Sequence, residues 1–209
     1  ITNKKENYEM RLENKTAVVT GAASGLGKAI VEKFLEEGSK VIIVDINEDA
    51  GRELSEKLGS STLAVSADVG DANSIENLKK SITESFKKVD IVVNNAGVTH
   101  LPTPLDEVTE DDFDRVFRVN CKSVYLMAKA FVPNMKSQGS GSILNIASTA
   151  GVSPRPNLNW YNSSKGWMNT ATRTMAVELA PFGVRVNAVN PVASETPLLA
   201  SFMGEDTPE

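Results

Sequence analysis

Short apolar runs alternate with stretches of helical period along nearly the whole chain: Thr16 to Thr20, Val41 to Asp45, Thr62 to Ala67, Ile91 to Val93, Ile143 to Ile146 and Val184 to Val189. Near-continuous β-branched runs such as Val41-Ile42-Ile43-Val44 suit strands buried on both faces, and the amphipathic stretches between them supply the crossovers of a parallel sheet. The pattern predicts a three-layer, doubly wound α/β fold. The first helix shows Leu26, Ile30 and Phe34 on one face and Gly38 as its C-terminal stop. Further on, Thr109-Glu110-Asp111-Asp112 fits a capping box, and its acidic side chains meet the positive end of a helix. That helix aligns Phe113, Val116, Phe117, Val124, Met127 and Phe131 in one stripe, with Asn120 inside it. A buried amide without partners costs roughly a few kcal/mol, so Asn120 must be bonded to something. Cys121 beside it reads as a packed thiol. A last long helix takes Tyr161, Lys165, Met168, Thr172, Met175 and Leu179 down one face, and Pro181-Phe182-Gly183 ends it.

Composition narrows the class. With 209 residues, 41% of them hydrophobic, the chain can bury one sizeable core and predicts a single domain over residues 10–209. A formal charge of −5 and a pI near 5.1 argue against a nucleic-acid surface, because the basic residues form no cluster larger than pairs such as Lys79-Lys80 and Lys87-Lys88. One cysteine cannot make an internal disulfide, and no His/Cys cluster has metal-ligand spacing. No apolar run is long enough to span a bilayer, so a cytoplasmic location is expected. Residues 1–9 are polar and read as a tag or disordered leader before Met10.

The candidate chemistry begins after the first strand, at Thr20-Gly21-Ala22-Ala23-Ser24-Gly25-Leu26-Gly27. Glycines at a strand-to-helix junction permit a tight turn, close backbone approach to a pyrophosphate, and packing of the helix on the sheet. Asp45 closes the second strand at the position where an acidic residue can accept bonds from both ribose hydroxyls and would repel a 2′-phosphate. Ile46 adds no cation, so NAD is favoured over NADP. Asp45 and Asp68 each have a second reading as helix caps.

Tyr161-Asn162-Ser163-Ser164-Lys165 opens the last long helix. Residues four apart share a helix face, which would bring an ammonium close to a phenol. A phenol titrates near 10, and nearby positive charge lowers it toward neutrality, where it can exchange protons. Ser148 follows the fifth strand, at the sheet edge where ligands of open α/β folds bind. The lone His100 reads as a surface loop residue, and Trp160 as an interface residue.

Taken together, T-G-x-x-x-G-x-G, the acidic end of the second strand, Asp68-Val69, Asn94-Asn95-Ala96-Gly97 and Tyr161 to Lys165 resemble the short-chain dehydrogenase/reductase family, from Leu12 to about Leu198. The resemblance implies a Rossmann-type sheet and a catalytic set of Asn120, Ser148, Tyr161 and Lys165. It implies cofactor contacts at Gly21, Ser24, Gly25, Leu26, Gly27, Asp45 and Ile46. It adds Asp68 and Val69 beside the adenine, and Asn94, Ala96 and Gly97 beyond the fourth strand, while Asn95 ties strands together. Ser148 precedes Tyr161 by the family's thirteen residues. Tyr161 and Lys165 would also touch the nicotinamide ribose, and Pro191, Val192 and Thr196 would meet the nicotinamide.

The activity implied is hydride transfer between NAD(H) and a small-molecule secondary alcohol or ketone, in a homotetramer. An NADPH-dependent 3-oxoacyl-thioester reductase and a non-catalytic NAD sensor are the alternatives. Two departures stand out. Val192 replaces the usual glycine after Pro191, leaving the backbone path there open. The resemblance also implies a further C-terminal helix and a last strand, which are missing from the chain given.

Overall fold

Six strands lie side by side, all parallel, in the order β3-β2-β1-β4-β5-β6. They are β1 (Thr16–Thr20), β2 (Lys40–Asp45), β3 (Thr62–Ser66), β4 (Ile91–Asn94), β5 (Gly141–Ile146) and β6 (Val184–Val189). Between them run α1 (Gly25–Glu36), α2 (Glu48–Leu58), α3 (Ala72–Ser85), α4 (Glu110–Phe117), α5 (Ser123–Gln138) and α6 (Asn159–Leu179), with α7 (Pro197–Phe202) after β6. The computed structural model describes residues 10–192 and 197–202, so Thr196 and residues 1–9 lie outside it.

The two-residue period of each strand sorts the core into two layers. Val18, Ile42, Val44, Val92 and Ile143 face α3, α5 and α6, where Leu78, Ile82, Met127 and Phe131 meet them. Val19, Val41, Ile43 and Val93 face the other way, against Val31 and Leu54 of α1 and α2. Strands covered on both faces explain why the sequence runs are continuous rather than alternating. The strand order reverses at β1 and β4, and the crevice beyond their carboxyl ends is where the candidate site forms.

Helix starts follow the local chemistry. Asn47 caps α2 by accepting from Ala50 N, Asp71 caps α3 by accepting from Ser74 N, and Thr109 caps α4 by accepting from Asp112 N. With Asn47 and Asp71 in the caps, Asp45 and Asp68 are left for other work.

One expected helix is interrupted. Between α4 and α5 the chain makes a π-helical segment, Arg118–Lys122, whose wider turn contains Asn120 and Cys121. The apolar stripe continues through it, because Val116, Val124 and Met127 are all buried.

Candidate active site

The ends of β1, β2, β4 and β5, with the starts of α1 and α6, enclose a cavity of about 650 Å³. The glycine turn forms one end. Gly21 has φ of +59° and its backbone touches Ala96, since a Cβ there would stand 2.9 Å from Ala96 Cα. A Cβ on Gly27 would lie 2.1 Å from Gly21 O and 2.6 Å from Asn95 Nδ2, so Gly27 lets α1 seat against the turn. Gly27→Ala should cost about 1–3 kcal/mol of stability by overpacking, read as a lower urea midpoint. Ser24 occupies the N-cap of α1 without a side-chain cap bond, and no acidic residue lies in the first turn. That leaves an uncapped, positively polarised helix end facing the cavity, which suits phosphate oxygens.

Asp45 shapes this end with both oxygens. Oδ2 accepts from Ala23 N at 2.9 Å and Oδ1 from Asn47 N at 3.1 Å, so the carboxylate fixes the turn while lining the cavity beside the exposed Ile46. Asp68 sits further along the wall with Val69. Burial pushes its carboxyl up, but the Gly70 N–H and the Arg118 guanidinium outweigh it and hold the pKa below the usual value. Arg118 Nη1 reaches Asp68 Oδ2 at 2.5 Å across a separation of 50 residues, a pairing without a local sequence signal.

Asn94 and Asn95 divide the work between them, and Asn95 makes the expected tie between strands. Asn94 is buried behind the wall, donating to Asn145 Oδ1 at 2.8 Å. Asn95 ties β4 to β1 through Thr20 O and Gly21 O, both at 2.9 Å, and also forms part of the wall with Ala96 and Gly97.

At the other end Ser148, Tyr161 and Lys165 converge. Ser148 leaves β5 as the cap of a short 3-10 turn, its Oγ accepting from Ala150 N at 3.1 Å, and its hydroxyl is hydrogen-bonded to the Tyr161 phenol. Thr149 anchors the neighbouring loop, donating from N and Oγ1 to Pro191 O at 3.0 and 3.2 Å. Val192 lines the cavity, is exposed, and does not take a positive φ, so the valine fits this backbone path.

Lys165 lies on the same face of α6 as Tyr161, as helical spacing suggests. Its ammonium lies 5.9 Å from the Tyr161 ring centroid and also donates to Ile146 O at 2.9 Å. Burial pushes the phenol pKa up, only partly offset by its hydrogen bond with Ser148. The same burial brings Lys165 itself down to about 8. Desolvation dominates because both groups sit under the cover of α6 and the wall, where a charge loses its water.

Asn120 is fully buried and saturated: Oδ1 accepts from Val98 N, and Nδ2 donates to Val98 O and Ser164 Oγ, all at 2.9 Å. Ser164 Oγ in turn donates to Tyr161 O at 2.7 Å, so the amide braces the first turn of α6 against the β4 loop. Both amide hydrogens are spent, which leaves none for a water. A Cβ on Gly97 would stand 3.3 Å from Lys165 Nζ and 3.4 Å from Asn120 Oδ1, so the glycine lets these groups pack together. Burial raises the Cys121 thiol to about 11, and its Sγ lies 3.8 Å from Ser164 O; it is a packed thiol.

His100 corrects the surface-loop expectation. It is 1% exposed, its Nδ1 lies 2.7 Å from Leu101 O, and Nε2 meets no partner among the described residues. Burial of the turn after Gly97 under α4 accounts for it, since Arg115 Nη2 donates to the adjacent Thr99 O at 3.1 Å. Trp160 packs edge-on against Phe113 with centroids 5.2 Å apart and donates to Leu105 O at 3.3 Å. Sequence reasoning also missed Phe202, whose ring meets Tyr161 edge-on at 5.0 Å, together with Arg115 and Leu199 in the wall, which Arg155 shares. All three reach the site through tertiary approach.

The cavity thus joins an uncapped helix end and the Asp45 carboxylate to a serine–tyrosine pair. A sequence profile described as short chain dehydrogenase matches residues 15–206. The 4-formylbenzenesulfonate dehydrogenase TsaC1/TsaC2 of Comamonas testosteroni is 43% identical over 203 residues, 95% of this chain and 81% of that protein. A 3-ketoacyl-(acyl-carrier-protein) reductase from Brucella melitensis, solved with NADH, matches at TM-score 0.90 and 43% identity over 92% of this chain and 80% of that one. An NAD+-bound xylitol dehydrogenase matches at TM-score 0.84 and 32% identity, over 87% and 71% of the two chains. The chain therefore belongs to the short-chain dehydrogenase family and is an oxidoreductase built on a Rossmann-type sheet.

Proposed function

We propose that the protein is an NAD(H)-dependent dehydrogenase/reductase acting on a secondary alcohol or ketone. The observation that supports this most is one continuous cavity shared by Ser24 and Asp45 at one end and Ser148, Tyr161 and Lys165 at the other. The residues fit a dinucleotide: Gly21, Ser24, Gly25, Leu26 and Gly27 would meet the pyrophosphate, and Asp45 and Ile46 the adenosine ribose. Asp68, Val69, Ala96 and Gly97 would flank the adenine and the middle of the molecule, and Pro191 and Val192 the far ring. The bound nicotinamide supplies or accepts the hydride.

The protein's own groups then handle the proton. Ser148 donates a hydrogen bond to the substrate oxygen and holds it beside the phenol. Tyr161, kept protonated by burial, donates its proton in reduction and must first lose it to act as base in oxidation. Lys165 has one protein acceptor among the described residues, Ile146 O, and presents its remaining N–H donors to the ribose and the proton path. Asn120 keeps the Tyr161 turn in place through Ser164. The raised phenol pKa implies that oxidation speeds up as pH rises above neutrality, whereas reduction slows over the same range; identical profiles in both directions would contradict the role of Tyr161.

NAD is preferred over NADP because the cavity rim at Asp45 offers a carboxylate and no cation. Asp45→Ala should raise the NADP(H)/NAD(H) ratio of kcat/KM by about tenfold or more, about 1.4 kcal/mol. An unchanged ratio would sink the assignment. Exposed Tyr125 on α5 and Trp167 on α6 support assembly through the two long helices into a homotetramer, measurable by light scattering. Among the described residues no helix is long and apolar enough to cross a membrane.

The test of the whole reading is a screen of polyols, sugars, hydroxysteroids and 3-oxoacyl thioesters with both cofactors. NAD(H)-linked turnover of an alcohol or ketone is the expected result. Preference for NADPH with an acyl thioester would shift the function to 3-oxoacyl-thioester reduction, and binding of NADH with no turnover of any compound would make the protein a sensor.

A further inference from the structure

The cavity wall holds six charged side chains: Asp45, Asp68, Arg115, Arg118, Arg155 and Lys165. Five are already committed. Asp45 is held by the Ala23 and Asn47 N–H groups, Asp68 pairs with Arg118, and Lys165 donates to Ile146 O. Arg115 pairs with Asp112 at 2.8 Å and also donates to Thr99 O. The Arg155 guanidinium alone has no acceptor among the described residues. Elsewhere the arginines are engaged: Arg11 with Glu37, Arg52 with Asp49, Arg173 with Thr170 Oγ1 and Arg185 with Ser142 Oγ.

Its backbone, by contrast, is firmly placed. Asn162, next to the catalytic tyrosine and 7% exposed, donates from Nδ2 to Arg155 O at 2.7 Å. Thr103 N donates to Asn157 O at 2.9 Å, and Asn157 holds a left-handed φ of +62°. Pro154 and Pro156 flank the arginine and restrict the backbone on both sides. A tethered loop thus delivers the exposed Arg155 to the wall that Ser148 and Tyr161 share with the apolar Leu199 and Phe202. Guanidinium presents paired N–H donors that match the oxygens of an anion.

We propose that Arg155 binds an anionic group of the substrate, so that the substrate is a hydroxy or oxo compound bearing a carboxylate or sulfonate away from the reacting carbon. This inference rests on the reading of Ser148 and Tyr161 as the centre of reaction, and the two can fail separately.

The test uses two matched pairs of ketones, 4-oxopentanoate against 4-oxopentanamide and 4-acetylbenzenesulfonate against 4-acetylbenzenesulfonamide. NADH-linked turnover is measured, and binding is followed by protein fluorescence with and without NADH. The wild-type chain should bind and reduce the anionic member of at least one pair about tenfold better than its neutral partner. Which pair responds separates carboxylate from sulfonate. Arg155→Gln should erase that preference, mainly through KM, with the neutral member within about twofold, and Arg155→Lys should restore part of it. Equal behaviour of both members in the wild type, including no binding of either, overturns the proposal. So does a Gln variant that weakens both members alike. A charge preference in binding without any turnover would sustain the Arg155 site and overturn the redox reading.

Discussion

Replacing Tyr161 by phenylalanine should lower turnover by about 10²- to 10⁴-fold while leaving NAD(H) affinity within a few fold. The variant deletes only the hydroxyl that meets Ser148, and the ring keeps its edge-on contact with Phe202 at 5.0 Å. The phenol is buried and has one identified hydrogen-bond partner, so its loss costs the fold little, on the order of 1 kcal/mol. Steady-state kinetics in both directions, with a fluorescence titration of NADH, separate the proton step from binding. Turnover within tenfold of wild type would remove Tyr161 from the chemistry, whereas a parallel loss of NADH binding would show that the substitution damaged the site as a whole.

Lys165→Met should abolish most activity and yet stabilise the unliganded protein at neutral pH. The ammonium is fully buried, and burial brings its pKa down from 10.5 to about 8, which corresponds to a cost of roughly 3 kcal/mol for the charged form. Methionine removes that cost but leaves Ile146 O without its donor, worth about 1–2 kcal/mol. The net gain is about 1–2 kcal/mol, or a rise of a few degrees in Tm for a chain of this size. The sign with pH follows from the lowered pKa. Below pH 8 both folded and unfolded chains hold the proton and the full penalty applies. Between about 8 and 10.5 the unfolded chain binds more protons than the folded one, so the wild type gains stability on the variant as pH rises. Urea midpoints at pH 7 and pH 10 check this: a variant less stable at both, with no narrowing of the gap, would contradict a desolvated lysine. Retained buried charge at a cost in stability is the expected mark of a functional group.

These two residues also separate what could be read along the chain from what could not. The Val41-Ile42-Ile43-Val44 run, the glycine turn before Leu26 and the Tyr161-to-Lys165 spacing are local patterns, each tied to a conformation by sterics or by period. They led to the parallel sheet, the turn at the end of β1 and the shared face of α6. Helical spacing brought the tyrosine and lysine together but could not show the lysine's second partner, because position on a face does not fix everything a flexible four-carbon side chain can reach. That partner, Ile146 O, comes from β5. His100 was misread for a related reason: a polar residue in a loop is exposed only if nothing packs over it, and α4 does.

The sequence by itself determined the order of elements, the burial of the strands on both faces, the family, and the identity of the groups able to do acid–base chemistry. Those depend on periodicity, on glycine sterics and on intrinsic reactivity, all of which are properties of short stretches. Only the tertiary structure decided that Asn94 is buried while Asn95 forms part of the wall, that Arg118 is spent on Asp68, and that the Arg155 side chain has no partner among the described residues at the Tyr161 end. Only the fold, too, decided that desolvation outweighs the helical pairing of Tyr161 and Lys165. Such outcomes depend on distances between residues far apart in the chain and on how much water the packed layers exclude, and neither quantity is written in any local pattern.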